Sequence, residues 1–146
     1  MKRSERFRKF SEISSGLENN AGAKLAEAQL QLDTQKNQLA ELKKYLSEYQ
    51  LQLQAKLNDT GSALVINGYQ KFISSLKGAI ALQTEVVRKS ELETEEFRKA
   101  WMEKRIEVNK FDQAADNFRY QEDVQRNKAE QAENDDRISS NYNSGK

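Results

Sequence analysis

The chain has 146 residues, of which 36% are hydrophobic and 32% charged, with a net charge of +1. That length predicts one domain, and that polarity excludes a compact globule with a wide core; it suits helices that each bury one narrow stripe. The near-neutral balance excludes bulk electrostatic binding of nucleic acid. The lack of both cysteine and histidine excludes disulfides, thiolate chemistry, the commonest zinc ligands and the commonest general base.

There is no proline, so nothing forbids very long helices, and the six glycines are scattered instead of forming a linker. No apolar run approaches the roughly 20 residues of a membrane span. The start, MKRSERFRKF, is basic, but neither an apolar block nor a small-residue cleavage site follows it, so no secretion signal is expected.

Helix 1 is expected over about residues 5–57. Its seam runs Leu25, Ala28, Leu32, Gln35, Leu39, Leu42, Leu46, Tyr49, Leu53, Leu57, in steps that alternate three and four and close with a four. Upstream, Phe10, Ile13, Leu17 and Ala21 continue it with a local stutter. A turn is expected over about 58–66, where NDTGSALVING carries Asn, Asp, Thr and Gly. Helix 2 is expected over about 67–133. Its seam runs from Tyr69 through Ile73, Leu76, Ile80, Gln83, Val87, Ser90, Thr94, Phe97, Trp101, Lys104, Val108, Phe111 and Ala115 to Phe118, in steps of four and three throughout. The remainder, about 134–146, has no seam and is expected to be disordered.

One narrow seam cannot bury itself, and a reversal at the turn buries it at the smallest loop cost. The fold class is therefore all-α, a long two-helix antiparallel coiled-coil hairpin, as a single coiled-coil domain over 1–146. With the turn centred near Ser62, Tyr49 faces Leu76, Ala28 faces Phe97, Phe10 faces Ala115 and Trp101 faces Leu25. Gln35 falls opposite Ser90, a polar layer of the kind that fixes register.

Catalytic chemistry finds no residues. The acidic run SELETEE, Ser90 to Glu96, converges on nothing and reads as a solvated helix face. Trp101 reads as seam packing and not as a ligand platform. The basic start, with Lys2, Arg3, Arg6, Arg8 and Lys9, brings no aromatic platform for nucleic acid and reads as a solubilising or partner-docking terminus. Asn58-Asp59-Thr60 matches a glycosylation acceptor, a pattern common by chance. No glycine-rich phosphate loop exists. No enzyme activity, cofactor or metal is expected.

The stretch GYQKFISSLKGAIALQ, Gly68 to Gln83, holds more apolar residues than its seam needs. Phe72, Leu76, Ala79 and Gln83 step by four, three and four; so do Gln38, Leu42, Tyr45 and Tyr49. In a hairpin the two sets lie alongside each other. Leu42, Tyr49 and Leu76 are shared with the seam, while Tyr45, Phe72 and Ala79 are pushed to one side, rimmed by Lys43, Lys44, Lys71 and Lys77. A contiguous strip of this kind suggests a partner.

QLAELKKYLSEYQ, from Gln38, and YQKFISSLKGAI, from Tyr69, resemble the FliJ family of flagellar type III protein export. The features carrying the resemblance are Gln38, Leu39, Leu42, Tyr45, Glu48 and Tyr49, then Tyr69, Gln70, Phe72, Ile73, Leu76, Ala79 and Ile80. The resemblance implies a cytoplasmic antiparallel coiled coil similar to the stalk subunit of rotary ATPases, peripheral to the membrane at the flagellar base. It implies three partners: the hexameric flagellar export ATPase, the cytoplasmic part of the membrane export gate, and export-substrate chaperones. No nucleic acid and no direct membrane insertion are implied. Carried onto this chain, Gln38, Leu42, Tyr45, Tyr49, Phe72, Leu76 and Ala79 become the gate-docking face, which Gln83 extends by spacing. By analogy to the rotary stalk, Phe7, Phe10, Phe111 and Phe118 at the paired free ends would enter the ATPase ring. The alternatives are a holdase chaperone of the prefoldin type, gripping unfolded clients, and the stalk protein of an injectisome.

Overall fold

The structure, a computed structural model, describes residues 1–59 and 62–144, with the side chain of Ser144 excepted. Thr60 and Gly61, which belong to the expected turn and the glycosylation acceptor, lie outside the described residues, as do residues 145 and 146 of the expected tail.

Two α-helices account for the described chain: α1, Arg3–Asn58, and α2, Ala63–Ser144. They pack against each other as an all-α helical hairpin, without strands. Both helices run uninterrupted because nothing in the sequence breaks them. Proline is absent, and no described residue has positive φ. Ser62 starts α2. Its hydroxyl accepts the Leu64 N–H at 3.1 Å, and its carbonyl accepts the Val65 and Ile66 N–H groups at 3.0 and 3.2 Å. A serine cap of this kind satisfies donors that a helix start otherwise leaves open, and is worth about 1 kcal/mol.

That cap changes the expected boundaries. α2 begins at Ala63 and not near 67, because Ser62 opens a helix through Ala-Leu-Val-Ile, and Asn67 and Gly68 are carried inside it. At the other end α2 continues through 134–144, where disorder was expected. No proline or glycine lies between Gly78 and Gly145 to stop it, although it buries nothing beyond Val124.

Contacts group the chain into two units, where one domain was expected. One unit comprises Ala21–Trp101, the other Met1–Asn20 with Met102–Lys146. In the first, the predicted seam closes. Ala28, Ile73, Leu76, Val87 and Thr94 are buried, and Leu25, Leu32, Leu39, Leu42, Leu46, Tyr49 and Leu53 are half-buried. Half-burial is what one partner helix provides. Leu57 is exposed, because a step of four from Leu53 leaves the heptad.

The pairing in this unit is tighter than the predicted register. Gln83 Nε2 donates to Gln35 Oε1 at 2.7 Å and to the Gln35 carbonyl at 3.1 Å. Gln35 thus meets Gln83 and not Ser90. The Tyr49 ring meets Tyr69 and Phe72. Thr94 Oγ1 lies 3.4 Å from the Ala28 carbonyl while bonding its own helix at the Ser90 carbonyl, 2.8 Å away. Trp101 lies against Gly22, where an added Cβ would come within 3.4 Å of the indole. The earlier start of α2 shortens the connection and brings Gln83 within reach of Gln35.

In the second unit the upstream stutter is absent. Phe10, Ile13 and Leu17 are exposed, at 46%, 65% and 44%. The inward residues are instead Ser4, Phe7, Ser11, Ser14 and Glu18, followed along α1 by Ala21 at the start of the other unit. They step by three and four directly into Leu25, so the heptad is unbroken but polar. Small inward residues suit this end because α2 presents Val108, Phe111, Ala115 and Phe118, and the large rings fill the space. The serines find partners across the hairpin: Ser11 Oγ donates to Asp112 Oδ1, and Ser4 Oγ donates to Glu122 Oε2 at 2.6 Å.

Candidate functional site

Two groups of side chains were singled out by sequence, one in each unit.

The first is the strip in Ala21–Trp101. Leu76 is a core residue at 8% exposure, and Leu42, Tyr49, Ala79 and Gln83 are half-buried. Gln38, Tyr45 and Phe72 are exposed, Tyr45 at 47% and Phe72 at 44%. The structure brings the two halves together at three points. The Tyr49 and Phe72 ring centroids are 4.5 Å apart at 52°, Tyr49 and Tyr69 are 6.1 Å apart, and Gln83 Nε2 reaches Gln38 Oε1 at 3.5 Å. Tyr45 stands one helical turn before Tyr49, on the flank that Phe72 occupies from the other helix. Tyr69 donates its hydroxyl to Gln52 Oε1 at 3.4 Å. Beside these rings is a shallow depression of about 280 Å³, lined by Tyr49, Val65, Gly68, Tyr69 and Phe72. Gly68 forms part of its floor; a Cβ there would meet nothing within 4 Å.

The strip expected from sequence leaves out three residues of this surface. Val65, Leu82 and Val86 are exposed at 43%, 74% and 41%. Val65 falls in the expected turn, Leu82 is one of the surplus apolar residues of Gly68 to Gln83, and Val86 lies beyond that stretch.

The second group is the aromatic cluster of the other unit. Phe7 stacks on Phe118 at 5.2 Å and 21°, and touches Phe10 edge-on at 5.7 Å. Phe111 lies 6.3 Å from Phe7 and 5.7 Å from Phe10. The structure therefore gathers Phe7, Phe10, Phe111 and Phe118 into one cluster. Each such pair adds about 0.5–1.5 kcal/mol beyond area burial. The Arg3 guanidinium lies 5.5 Å from the Phe118 ring centroid. Arg3, Arg6, Phe7, Phe10 and Phe118 enclose an open recess of about 310 Å³ with an apolar floor and a cationic rim. On another side of the same unit, Lys2, Arg8, Arg119 and Arg126 are interleaved with Glu5, Glu122 and Asp123. Arg8 pairs with Asp116 at 3.2 Å. The hydrogen bond from the Ser4 hydroxyl holds the Glu122 carboxyl below its ordinary value; the Ser4 N–H and the Lys2 charge act in the same direction.

Neither group is built for bond-making chemistry. Among the described residues no cluster of Asp and Glu is arranged to hold a metal ion, and no helix is long and apolar enough to cross a membrane. Both groups are aromatic surfaces with charged margins, which is the chemistry of protein recognition.

Comparison with protein families gives a match over residues 3–146 to the family described as flagellar FliJ protein. The chain belongs to the FliJ family. Membership places it in flagellar protein export. Comparisons with curated proteins and with solved structures give no match. A FliJ-family chain thus carries two of its exposed aromatic residues, Tyr45 and Phe72, within the motif pair by which the sequence resembles that family.

Proposed function

We propose that this chain is a non-enzymatic coupling protein of flagellar export, which links the export ATPase ring to the membrane export gate and escorts substrate chaperones. The observation that carries this reading is the pair of half-exposed rings, Tyr45 and Phe72, on one flank of the hairpin, with Phe72 packed 4.5 Å from the Tyr49 ring across the two helices. Tyrosine and phenylalanine held at a protein surface bring large contact area at low entropic cost, and they dominate recognition. In this reading Gln38, Leu42, Tyr45, Tyr49, Phe72, Leu76, Ala79 and Gln83 form the gate-docking strip. Tyr45 and Phe72 make the contact, while Leu76 and Leu42 support it from the seam. The cluster of Phe7, Phe10, Phe111 and Phe118 is the end received by the ATPase ring. The protein works in the cytoplasm at the flagellar base, peripheral to the membrane.

The test is a pull-down with the cytoplasmic part of the gate, paired with sedimentation of the chain with and without the export ATPase. The expected result is gate binding lost in Phe72→Asp at unchanged helicity, and more ATPase hexamer when the chain is present. A well-folded Phe72→Asp variant that binds the gate undiminished overturns the strip. Binding to many unfolded proteins with indifference to the ATPase would establish a prefoldin-type holdase instead.

A further inference from the structure

The seam of α2 fixes a heptad frame in which Ile73 occupies position a and Leu76 position d. In that frame Val65, Phe72, Ala79 and Val86 all fall at g, and Leu82 at c. The remaining c positions, Gly68 and Ser75, are small and exposed. The c and g positions therefore form a second stripe, stepping by three and four for three heptads from Val65 to Val86. Its apolar side chains are turned outward: Leu82 is 74% exposed, and Val65, Phe72 and Val86 are 41–44% exposed. A 3.5-residue repeat is a geometric signature. It keeps an apolar stripe straight along a neighbouring helix.

We infer that this stripe is a second coiled-coil seam, on which an amphipathic helix of the export gate packs as a third strand beside α1 and α2. The inference rests on the gate-docking reading and goes beyond it. It assigns Val65, Leu82 and Val86 to the interface and makes the bound gate segment helical. Three features specify the occupant. The period requires a helix of about six turns to cover the stripe. The margins carry both signs, with Glu41 and Glu48 at the c positions of α1 beside Lys44, and Lys71 on α2, so the incoming helix presents charges of both signs at its edges. Finally, the exposed apolar area is on the order of a few hundred Å², well below the roughly 800 Å² per partner of a stable interface. A permanent dimer of two copies would need more; a contact made and released during export does not.

A photo-reactive benzoylphenylalanine placed singly at each position from 65 to 86, in the full-length chain mixed with the purified cytoplasmic part of the gate, tests this. The expected pattern is strong crosslinking at Val65, Phe72, Ala79, Leu82 and Val86, weak crosslinking at Ser74, Lys77, Ala81 and Thr84, and at least tenfold weaker binding by Leu82→Lys. Crosslinks confined to 72–79, or spread evenly over all positions, overturn the third-strand inference and leave gate docking standing. No crosslink at any position, Phe72 included, overturns both. Crosslinks between two copies of the chain without gate protein assign the stripe to self-association and overturn it as well.

Discussion

Gln83 reaches across the hairpin to Gln35, placing its Nε2 2.7 Å from the Gln35 side-chain oxygen and 3.1 Å from its backbone carbonyl. Two glutamines facing each other within an otherwise apolar seam form a layer that no apolar residue can satisfy. Gln35→Leu removes the 2.7 Å acceptor and leaves Gln83 Nε2 with the residue-35 backbone carbonyl and the more distant Gln38 Oε1. It is expected to cost about 1 kcal/mol. Gln35→Leu combined with Gln83→Leu restores or exceeds the original stability, because both polar groups leave together. The double variant should nonetheless lose uniqueness of register, since one polar layer specifies pairing at a cost in stability. Urea denaturation measures the first effect. Spin-label distances between the helices measure the second: one distance in the parent chain, several in the double variant.

The unbroken heptad at the start of α1 makes an unusual prediction about polarity. Ser14 is 5% exposed and Ile13 is 65% exposed. Ser14→Leu forces a large side chain into a buried seam position and is expected to destabilise by about 1–3 kcal/mol. Ile13→Ser is expected to stay within about 0.5 kcal/mol of the parent, as for other exposed positions. Thermal melts of the two variants decide this. If the order were reversed, the seam would pass through Ile13 as the apolar pattern alone suggests.

That pair also marks where the sequence could be read and where it could not. The seam of α2 was legible from Tyr69 to Phe118 because Ile73, Leu76, Val87, Val108 and Phe111 announce it by type as well as spacing. The seam of α1 was legible from Leu25 to Leu53 for the same reason. Upstream, residue type and spacing disagree: type favours Phe10, Ile13 and Leu17, while spacing favours Phe7, Ser11 and Ser14. Spacing wins because the rings of α2 need small neighbours, which only the facing helix reveals. The register was misjudged through a local cause. Ala63 to Ile66 look like loop beside Asn67 and Gly68, and only the hydrogen bonds of Ser62 show that a helix has already begun. Tyr45, Phe72 and Leu82 were legible as surplus to the seam; Val86 required the α2 frame to be extended past the motif.

The clasp between Ser4 and Glu122 predicts a pH effect of definite sign. Accepting the Ser4 hydroxyl and N–H holds the Glu122 carboxyl below its ordinary value in the folded state. A carboxyl depressed on folding stabilises the fold above its unfolded value of about 4.3, and that contribution disappears as pH falls through the lowered folded value. Ser4→Ala should therefore lower the melting temperature at pH 7 and leave it unchanged near pH 2. A difference between parent and variant that persists at the lower pH would assign the effect to packing of Ser4.

Within the docking strip, burial separates residues that report on binding from residues that report on folding. Leu76 is 8% exposed, so Leu76→Ala is expected to cost about 2–4 kcal/mol, and any loss of gate binding would follow from instability. Tyr45 and Phe72 are nearly half exposed. Tyr45→Asp and Phe72→Asp are therefore expected to keep the circular dichroism of the parent at 25 °C while losing gate binding at least tenfold. Calorimetric titration with the purified gate domain measures the loss. Parental affinity in both variants would remove the aromatic flank from the interface.

Gly68 offers a case in which stability and binding should move in opposite directions. It lies inside α2 without positive φ, and a Cβ built on it meets nothing within 4 Å. The fold therefore gains nothing from its being glycine, while a glycine in a helix interior costs about 0.5–1 kcal/mol relative to alanine. Gly68→Ala should raise stability by that amount in urea denaturation. The same methyl group would stand in the depression between Tyr49, Val65, Tyr69 and Phe72. If a partner helix packs closely there, the added methyl holds it off, and gate affinity should fall severalfold even as the hairpin becomes more stable. A stabilised variant with undiminished affinity would place the contact elsewhere on the strip.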